Sequence, residues 1–357
     1  RIATNPVHRI APPSDWQVHP NPGQDTVSAT NPSTGARLEL AGEQVVRSVP
    51  LSDIWIEIRF TIPSSCVNGG APVVSTEDAA TAMRSVLAIA AGSDVPEQLP
   101  TVVDDGDLRV ATVTAEWDPE RVADHTGVTA TFGDTLWPTL TVIPDAVVGL
   151  CWPAVFATIG SAVTETGFPV VEGLLSLVHL DHAAHLLSSL PKEPVELTVT
   201  ATASAAHDTE VGRVVPVNVR ITTPDGELLA TLEERFAIRG RNGDAELSDP
   251  VRAGGAVSDN ATDTPRRRRR DVTLTAPVDM RPFAVVSGDH NPIHTDRAAA
   301  LLAGLPAPIV HGMWVSAAAQ HVVTATDGRP VPPAKLLGWT ARFLGMINPG
   351  DEVDRSE

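Results

Sequence analysis

Apolar and polar side chains alternate in a strand-like way over much of this chain. Period-two or β-branched runs occur at Ala36 to Leu40, Ile54 to Ile62, Val110 to Trp117, Val195 to Ala203 and Val211 to Thr222. Alternation of this kind marks strands with one face in a core. Pro224-Asp225-Gly226 is a tight-turn signature that makes Leu228 to Ile238 the hairpin partner of the last of these runs. Helical signals are fewer: Thr76 to Ala90, Ala146 to Ala162, Arg297 to Leu302 stopped by Gly304, and an Ala-rich run from Gly312 to Thr324. The run Ala146 to Ala162 is apolar on every side, and Asp145 is placed to meet the positive end of its dipole. A helix of that kind must be wrapped by protein, and a sheet curled around it is one architecture that does so. Pro153 within the run and the lack of a basic anchor beside it argue for a buried helix over a membrane span.

The order of elements from helix onward occurs twice, which predicts a duplicated α+β architecture and four regions. Residues 1–103 form a β-rich N-terminal region without visible chemistry, 104–240 a first unit, 241–270 a Gly- and Pro-containing linker, and 271–357 a second unit opened by a strand at Val272 to Thr275 and carrying another around Trp339 to Met346. The second unit runs out early: the chain stops soon after Asn348-Pro349-Gly350-Asp351, and Asp354-Arg355-Ser356-Glu357 does not read as a strand. The chain also opens without Met or an apolar signal region, so a piece of a longer polypeptide is expected.

Composition narrows the function. With 26 basic against 44 acidic residues the net charge is −18, which repels phosphate-rich partners, so neither nucleic acid nor an anionic membrane is expected to bind. The five arginines Arg266 to Arg270 read as the solvated end of the linker. Cys66 and Cys151 stand alone, without metal or disulfide spacing, which fits a reducing, cytoplasmic setting. No nucleophile-elbow, phosphate-loop or dinucleotide fingerprint occurs, which removes the usual hydrolase, kinase and dehydrogenase readings.

The chemistry concentrates in Ser287-Gly288-Asp289-His290-Asn291-Pro292-Ile293-His294 and, downstream, Val310-His311-Gly312-Met313. Gly288 permits backbone geometry other residues resist, and Pro292 pushes Asn291 toward an extended conformation, giving a rigid loop that can aim Asp289 and His294 at one point. A carboxyl and an imidazole suit proton transfer. In the β-elimination of water from a 3-hydroxyacyl thioester, one group removes the C2 proton, another protonates the departing hydroxyl, and a third holds charge on the thioester oxygen. Gly312, at the start of its helix, offers an unpaired N–H for that charge, and a glycine lets the thioester come close. His290 reads as a solvent-exposed loop position, and His311 either contacts the dyad loop or packs at the helix start. His179, His182 and His185 stand at three-residue steps, which on a regular strand alternate between faces, so no metal site is expected from them. Asp104-Asp105-Gly106-Asp107 lacks the spaced oxygens of a calcium loop and reads as a turn.

The string SGDHNPIH with the downstream PIVHGMW resembles the signature of MaoC-like, R-specific hydratases and dehydratases, and is similar above all to the dehydratase region of type I fatty acid synthases of the fungal β-subunit and mycobacterial kinds. Gly173 to Leu180 and Phe236 to Gly240 are similar to the degenerate first half of that region. The resemblance implies a double hot-dog, in which antiparallel sheet wraps a central helix in each of two units: a non-catalytic one at 104–240 and a catalytic one at 271–357, C-terminally incomplete. It further implies Asp289 and His294 as the catalytic dyad, Asn291 as an orienting or substrate-contacting group and Gly312 for the oxyanion. No metal and no cofactor are implied. The expected partners are an acyl thioester on the phosphopantetheine of an acyl carrier domain and the other domains of a multienzyme synthase. The expected reaction is dehydration of (3R)-3-hydroxyacyl thioesters to trans-2-enoyl thioesters. The alternatives are a stand-alone R-specific enoyl-CoA hydratase and a non-catalytic scaffold segment.

Overall fold

The computed structural model of the chain describes residues 16–20, 26–51, 54–61, 73–74, 84–92, 99–132, 135–136, 142–167, 169–170, 176–248, 251, 271–326, 329–330 and 336–356. Arg266 to Arg270, much of the linker and most of the run Gly173 to Ser176 therefore lie outside the described residues. The N-terminal region is a six-stranded antiparallel meander in chain order: β1 (Gln17–Pro20), β2 (Thr26–Thr30), β3 (Arg37–Ala41), β4 (Gln44–Leu51), β5 (Ile54–Thr61) and β6 (Val73–Val74). A helical stretch at residues 84–90 buries Leu87, Ala88, Ile89 and Ala90.

The larger sheet contains β7 (Val102–Asp105), β8 (Leu108–Trp117), β9 (Leu177–Leu186), β10 (Val195–Ala203), β11 (His207–Thr209), β12 (Gly212–Thr222), β13 (Leu228–Ile238) and, from the second unit, β15 (Gly338–Arg342). Its order is β15-β9-β13-β12-β10-β8-β7, with β11 on β12, and every pairing is antiparallel. The strand alternation read from sequence explains which face is inside: Leu197, Val199, Ala201 and Ala203 of β10 and Val215, Val217, Val219 and Ile221 of β12 are buried. They close over α2 (Trp152–Ser161), whose Ala154, Val155 and Ile159 have no exposed surface. This is the hot-dog arrangement, a sheet wrapped around a central helix.

The apolar run is not one helix. A 3-10 segment, Pro144–Leu150, precedes α2 and is bent 61° from it, so the break falls at Cys151, and Pro153 sits harmlessly in the first turn of α2. Among the described residues no single helix is long and apolar enough to cross a membrane. Helix α1 (Pro119–Thr129), which periodicity did not show, starts at Asp118, whose side chain accepts from the Glu120 N–H at 2.9 Å. Residues 241–248, expected as free linker, lie along the first unit: the Glu210 N–H donates to the Ala245 carbonyl at 2.9 Å, and Arg235 reaches the Ser248 hydroxyl at 2.8 Å.

The second unit begins with β14 (Asp271–Thr275) and continues through α3 (Arg281–Ser287), α4 (Arg297–Leu302) and α5 (Gly312–Thr324) to β15 and β16 (Glu352–Ser356). The strand expected around Trp339 to Met346 ends at Arg342. The reading of the C-terminal residues as non-strand is corrected: β16 pairs antiparallel with β14, Val353 opposite Leu274. Strand pairing overrides the weak local propensity of Asp354-Arg355-Ser356. Helix α5 is tied to the first unit by His321 with Thr129 (2.9 Å), Trp314 to the Val128 carbonyl (3.2 Å) and the Asp145 N–H to Gln320 (3.3 Å).

The expectation that His179 and His182 face apart fails. A β-bulge between His179 and Asp181 shifts the register of β9 against β13, so that His179 lies opposite Phe236 and His182 opposite Glu234. Both imidazoles then reach one buried carboxylate, His179 Nε2 to Glu234 at 2.7 Å and His182 Nδ1 to Glu234 at 2.6 Å, and His182 Nε2 continues to Asp145 at 3.1 Å. Asp145, expected to serve the helix dipole, spends its carboxylate here; the N-cap is Ile143.

Burial disfavours the His182 cation, but the Glu234 and Asp145 carboxylates outweigh it and push its pKa up to about 10. Burial likewise works against ionised Glu234 and Asp145, and His182 outweighs it, holding both below their usual range. Folding therefore holds a proton on His182 between its ordinary 6.5 and about 10 that the unfolded chain has lost, and stability must fall as pH rises through that window. The carboxylates contribute above their ordinary values and lose that contribution on acidification. Thermal unfolding followed across the alkaline window is expected to show a steadily descending Tm; a level Tm would show that His182 is not held charged.

Candidate active site

Helix α3 ends at Gly288, whose φ of +69° is left-handed, and this reversal starts the motif loop. The turn lies tight on the first unit: the Trp152 indole N–H donates to the Ser287 carbonyl at 3.0 Å, and a Cβ at Gly288 would stand 3.1 Å from the Gly149 carbonyl oxygen. Within the loop the Asn291 N–H donates to Asp289 Oδ1 at 3.1 Å, and Asn291 Oδ1 accepts from the Ile293 N–H at 3.3 Å. Asn291 thereby caps the 3-10 turn Pro292–His294 that brings His294 round.

The loop joins Asp289, His294 and His311, one nitrogen or oxygen of each lying within 4.8 Å of the others. His294 Nδ1 lies 2.9 Å from the Ile309 carbonyl. A carbonyl only accepts, so Nδ1 carries the hydrogen and Nε2 keeps its lone pair in the neutral ring. His311 Nε2 donates to the Asp289 carbonyl at 3.0 Å, and the two imidazoles stack at 3.7 Å with 25° between planes. His311 thus both contacts the loop and packs. Near-parallel rings at that spacing donate in near-parallel planes, which fits poorly with two imidazole nitrogens on one metal at about 2 Å.

Burial, the largest influence, raises the Asp289 pKa above its ordinary value, opposed by His294, the Asn291 N–H, His179 and His290. Burial lowers the His294 pKa, opposed by Asp289 and the Ile309 carbonyl. His311 is pushed well down by burial and by the neighbouring His294. Burial thus shifts the carboxyl toward its acid form and the imidazole toward its base form, the directions that suit an acid–base reaction.

Asp289 and His294 line a cavity of about 570 Å³ between the units, while His311 is buried behind them. The second unit supplies Asp289, Asn291, His294 and Gly312, and the first supplies Trp152, Phe156, His179 and Phe236. The four residues expected at the site are thus all at one cavity, but Gly312 differs in detail: a Cβ there would lie 2.9 Å from the Phe343 ring, so its open side is filled by Phe343. Its N–H remains the first of α5 and is not used within the helix. His290, expected in solvent, is half-buried; its N–H donates to the Ala90 carbonyl at 2.8 Å and its ring lies against Gly92. His179 is the site residue that sequence reasoning missed. The three-histidine run was its signal, and the bulge that turns it inward was not visible.

A family model described as MaoC like domain matches residues 257–356, and one described as Fatty acid synthase, SBS domain matches residues 1–93. The chain carries a MaoC-like dehydratase domain behind a fatty acid synthase SBS domain. The MaoC-like match contains the whole motif loop and α5, and the SBS match accounts for the N-terminal sheet, where sequence showed no chemistry. Over 83 residues the chain is 39% identical to a fatty acid synthase subunit beta of Aspergillus oryzae, covering 23% of this chain and 4% of that protein. Over 193 residues it is 28% identical to the enoyl-CoA hydratase ChsH3 of Mycobacterium tuberculosis, covering 52% of this chain and 62% of that protein. The chain thus spans a small part of the first relative and under two thirds of the second. A crystal structure of a MaoC-like dehydratase from Phytophthora capsici superposes with a TM-score of 0.52 at 18% identity, covering 69% of this chain and 83% of that one, and shows the shared fold.

The packing at Gly312 gives a direct check. Gly312→Ala must displace Phe343 and is expected to lower stability by about 1–3 kcal/mol, as overpacking does. Denaturant unfolding measures it, and an unchanged midpoint would show that Phe343 does not close on the helix start.

Proposed function

We propose that this MaoC-like domain dehydrates (3R)-3-hydroxyacyl thioesters, borne on the phosphopantetheine of an acyl carrier domain, to trans-2-enoyl thioesters in fatty acid synthesis. The observation that carries the reading is the His294 ring: its Nδ1–H is committed to the Ile309 carbonyl, leaving Nε2 free as a base beside an Asp289 whose acid form burial favours. His294 Nε2 takes the C2 proton. Asp289 delivers its proton to the 3-hydroxyl, the C3–O bond breaks, water departs and the C2–C3 double bond forms. The Gly312 N–H, at the positive end of α5, holds the charge that gathers on the thioester oxygen. Proton return from His294 to Asp289 resets the site. Asn291 orients the loop through its cap, and the SBS domain supports other synthase domains as neighbours.

The same groups run the reverse addition of water, and the likeness to an enoyl-CoA hydratase favours that as the second reading. Rates with carrier-bound and CoA-bound substrate at equal concentration separate the two. His294→Ala is expected to cost about 100- to 10,000-fold in kcat; near-normal turnover in the intact protein would remove the proposal. Because His294 must be unprotonated, kcat/KM should fall on acidification with a midpoint below the ordinary imidazole value of 6.5. An acid limb centred above that value would contradict the assignment.

A further inference from the structure

We infer that His179, supplied by the unit that lacks the motif, is a further catalytic residue: it hydrogen-bonds the 3-hydroxyl that leaves as water. The inference rests on the dehydration proposed above and adds a substrate contact to it.

Position is the first support. His179 lines the same cavity as Asp289 and His294 and is the member of the buried His179–Glu234–His182–Asp145 chain that does so. Its ring is held on Phe236, stacked at 4.7 Å and 15°, and edge-on to Trp152 at 6.2 Å. Trp152 is the residue whose indole bonds the Ser287 carbonyl, two positions before Asp289. His179 is also among the groups close enough to act electrostatically on Asp289. Phe343 packs on His179, with ring centres 4.9 Å apart, and against the position a Cβ of Gly312 would take.

Hydrogen-bond chemistry is the second support. Glu234 is fully buried and accepts from both imidazoles, so His179 Nε2 carries a hydrogen toward it. That leaves Nδ1 as the nitrogen available to accept, and among the described residues no hydrogen bond occupies it. A hydroxyl has one hydrogen to give and lone pairs to accept with. Donating that hydrogen to His179 leaves the oxygen lone pair directed at the Asp289 proton, and the departing water keeps its bond to His179 as C3–O breaks. A carboxylate behind an imidazole, fixing which nitrogen faces the substrate, is a recurring catalytic device.

Affinities for two CoA thioesters of one chain length decide the matter: the 3-hydroxyacyl thioester, measured on the His294→Ala background so that no turnover consumes it, and the saturated acyl thioester, which lacks the hydroxyl. Adding His179→Ala is expected to weaken the first about tenfold, the scale of one hydrogen bond, and to leave the second within about twofold. His179→Phe, which keeps the ring on Phe236 but removes both nitrogens, should give the same selective loss and guards against misfolding of the alanine variant. Equal weakening of both ligands in both variants, the mark of a structural role, overturns the inference, as does no weakening. Failure of the dehydration reading is seen separately, as unimpaired turnover in His294→Ala alone.

Discussion

A backbone carbonyl can accept a hydrogen bond and cannot donate one, and two carbonyls set the state of the imidazoles at this site. The Ile309 carbonyl takes the hydrogen of His294 Nδ1, and the Asp289 carbonyl takes that of His311 Nε2. Each ring is left with one defined lone pair. Burial does the rest, lowering both imidazole pKa values and raising that of the Asp289 carboxyl. These constraints are what the proposed acid–base roles of Asp289 and His294 rest on.

The constraint holds only because the loop is pinned from outside its own unit. Trp152 and Gly149 of the first unit press on Ser287 and Gly288, Ala90 of the N-terminal region takes the His290 N–H, and β15 extends the first unit's sheet past β9. The unit without the motif is thus part of the site: it supplies the wall of the cavity, the shoulder under the loop and a carboxylate-backed imidazole. Coupling of this kind gives the unit without the motif a place at the cavity.

Much of this was legible in the sequence, for identifiable reasons. The dyad loop could be read because its chemistry is local: Gly288, Asn291 and Pro292 dictate a turn whatever surrounds them, and the structure puts Asp289 and His294 at its mouth. Strands β10 and β12 were readable because one face of each is buried and the other partly exposed, and β13 because the Pro224-Asp225-Gly226 turn announces a hairpin partner. What escaped depends on distant partners. The bulge at Leu180 is a register choice made against β13, so the face of His179 cannot be read from spacing. The break at Cys151 lies inside an unbroken apolar run, and β16 is a strand because β14 lies beside it. Helix α3 is a short element ahead of the motif, where the reading passed from strand directly to loop.

The most direct test of the account is the protonation pattern of the His294 ring, read from its imidazole nitrogen resonances at neutral pH in the intact protein. The structure requires a neutral ring with hydrogen on Nδ1 and a bare Nε2. An imidazolium, or a ring with its hydrogen on Nε2, would leave no base facing the cavity and would contradict the assignment of the site.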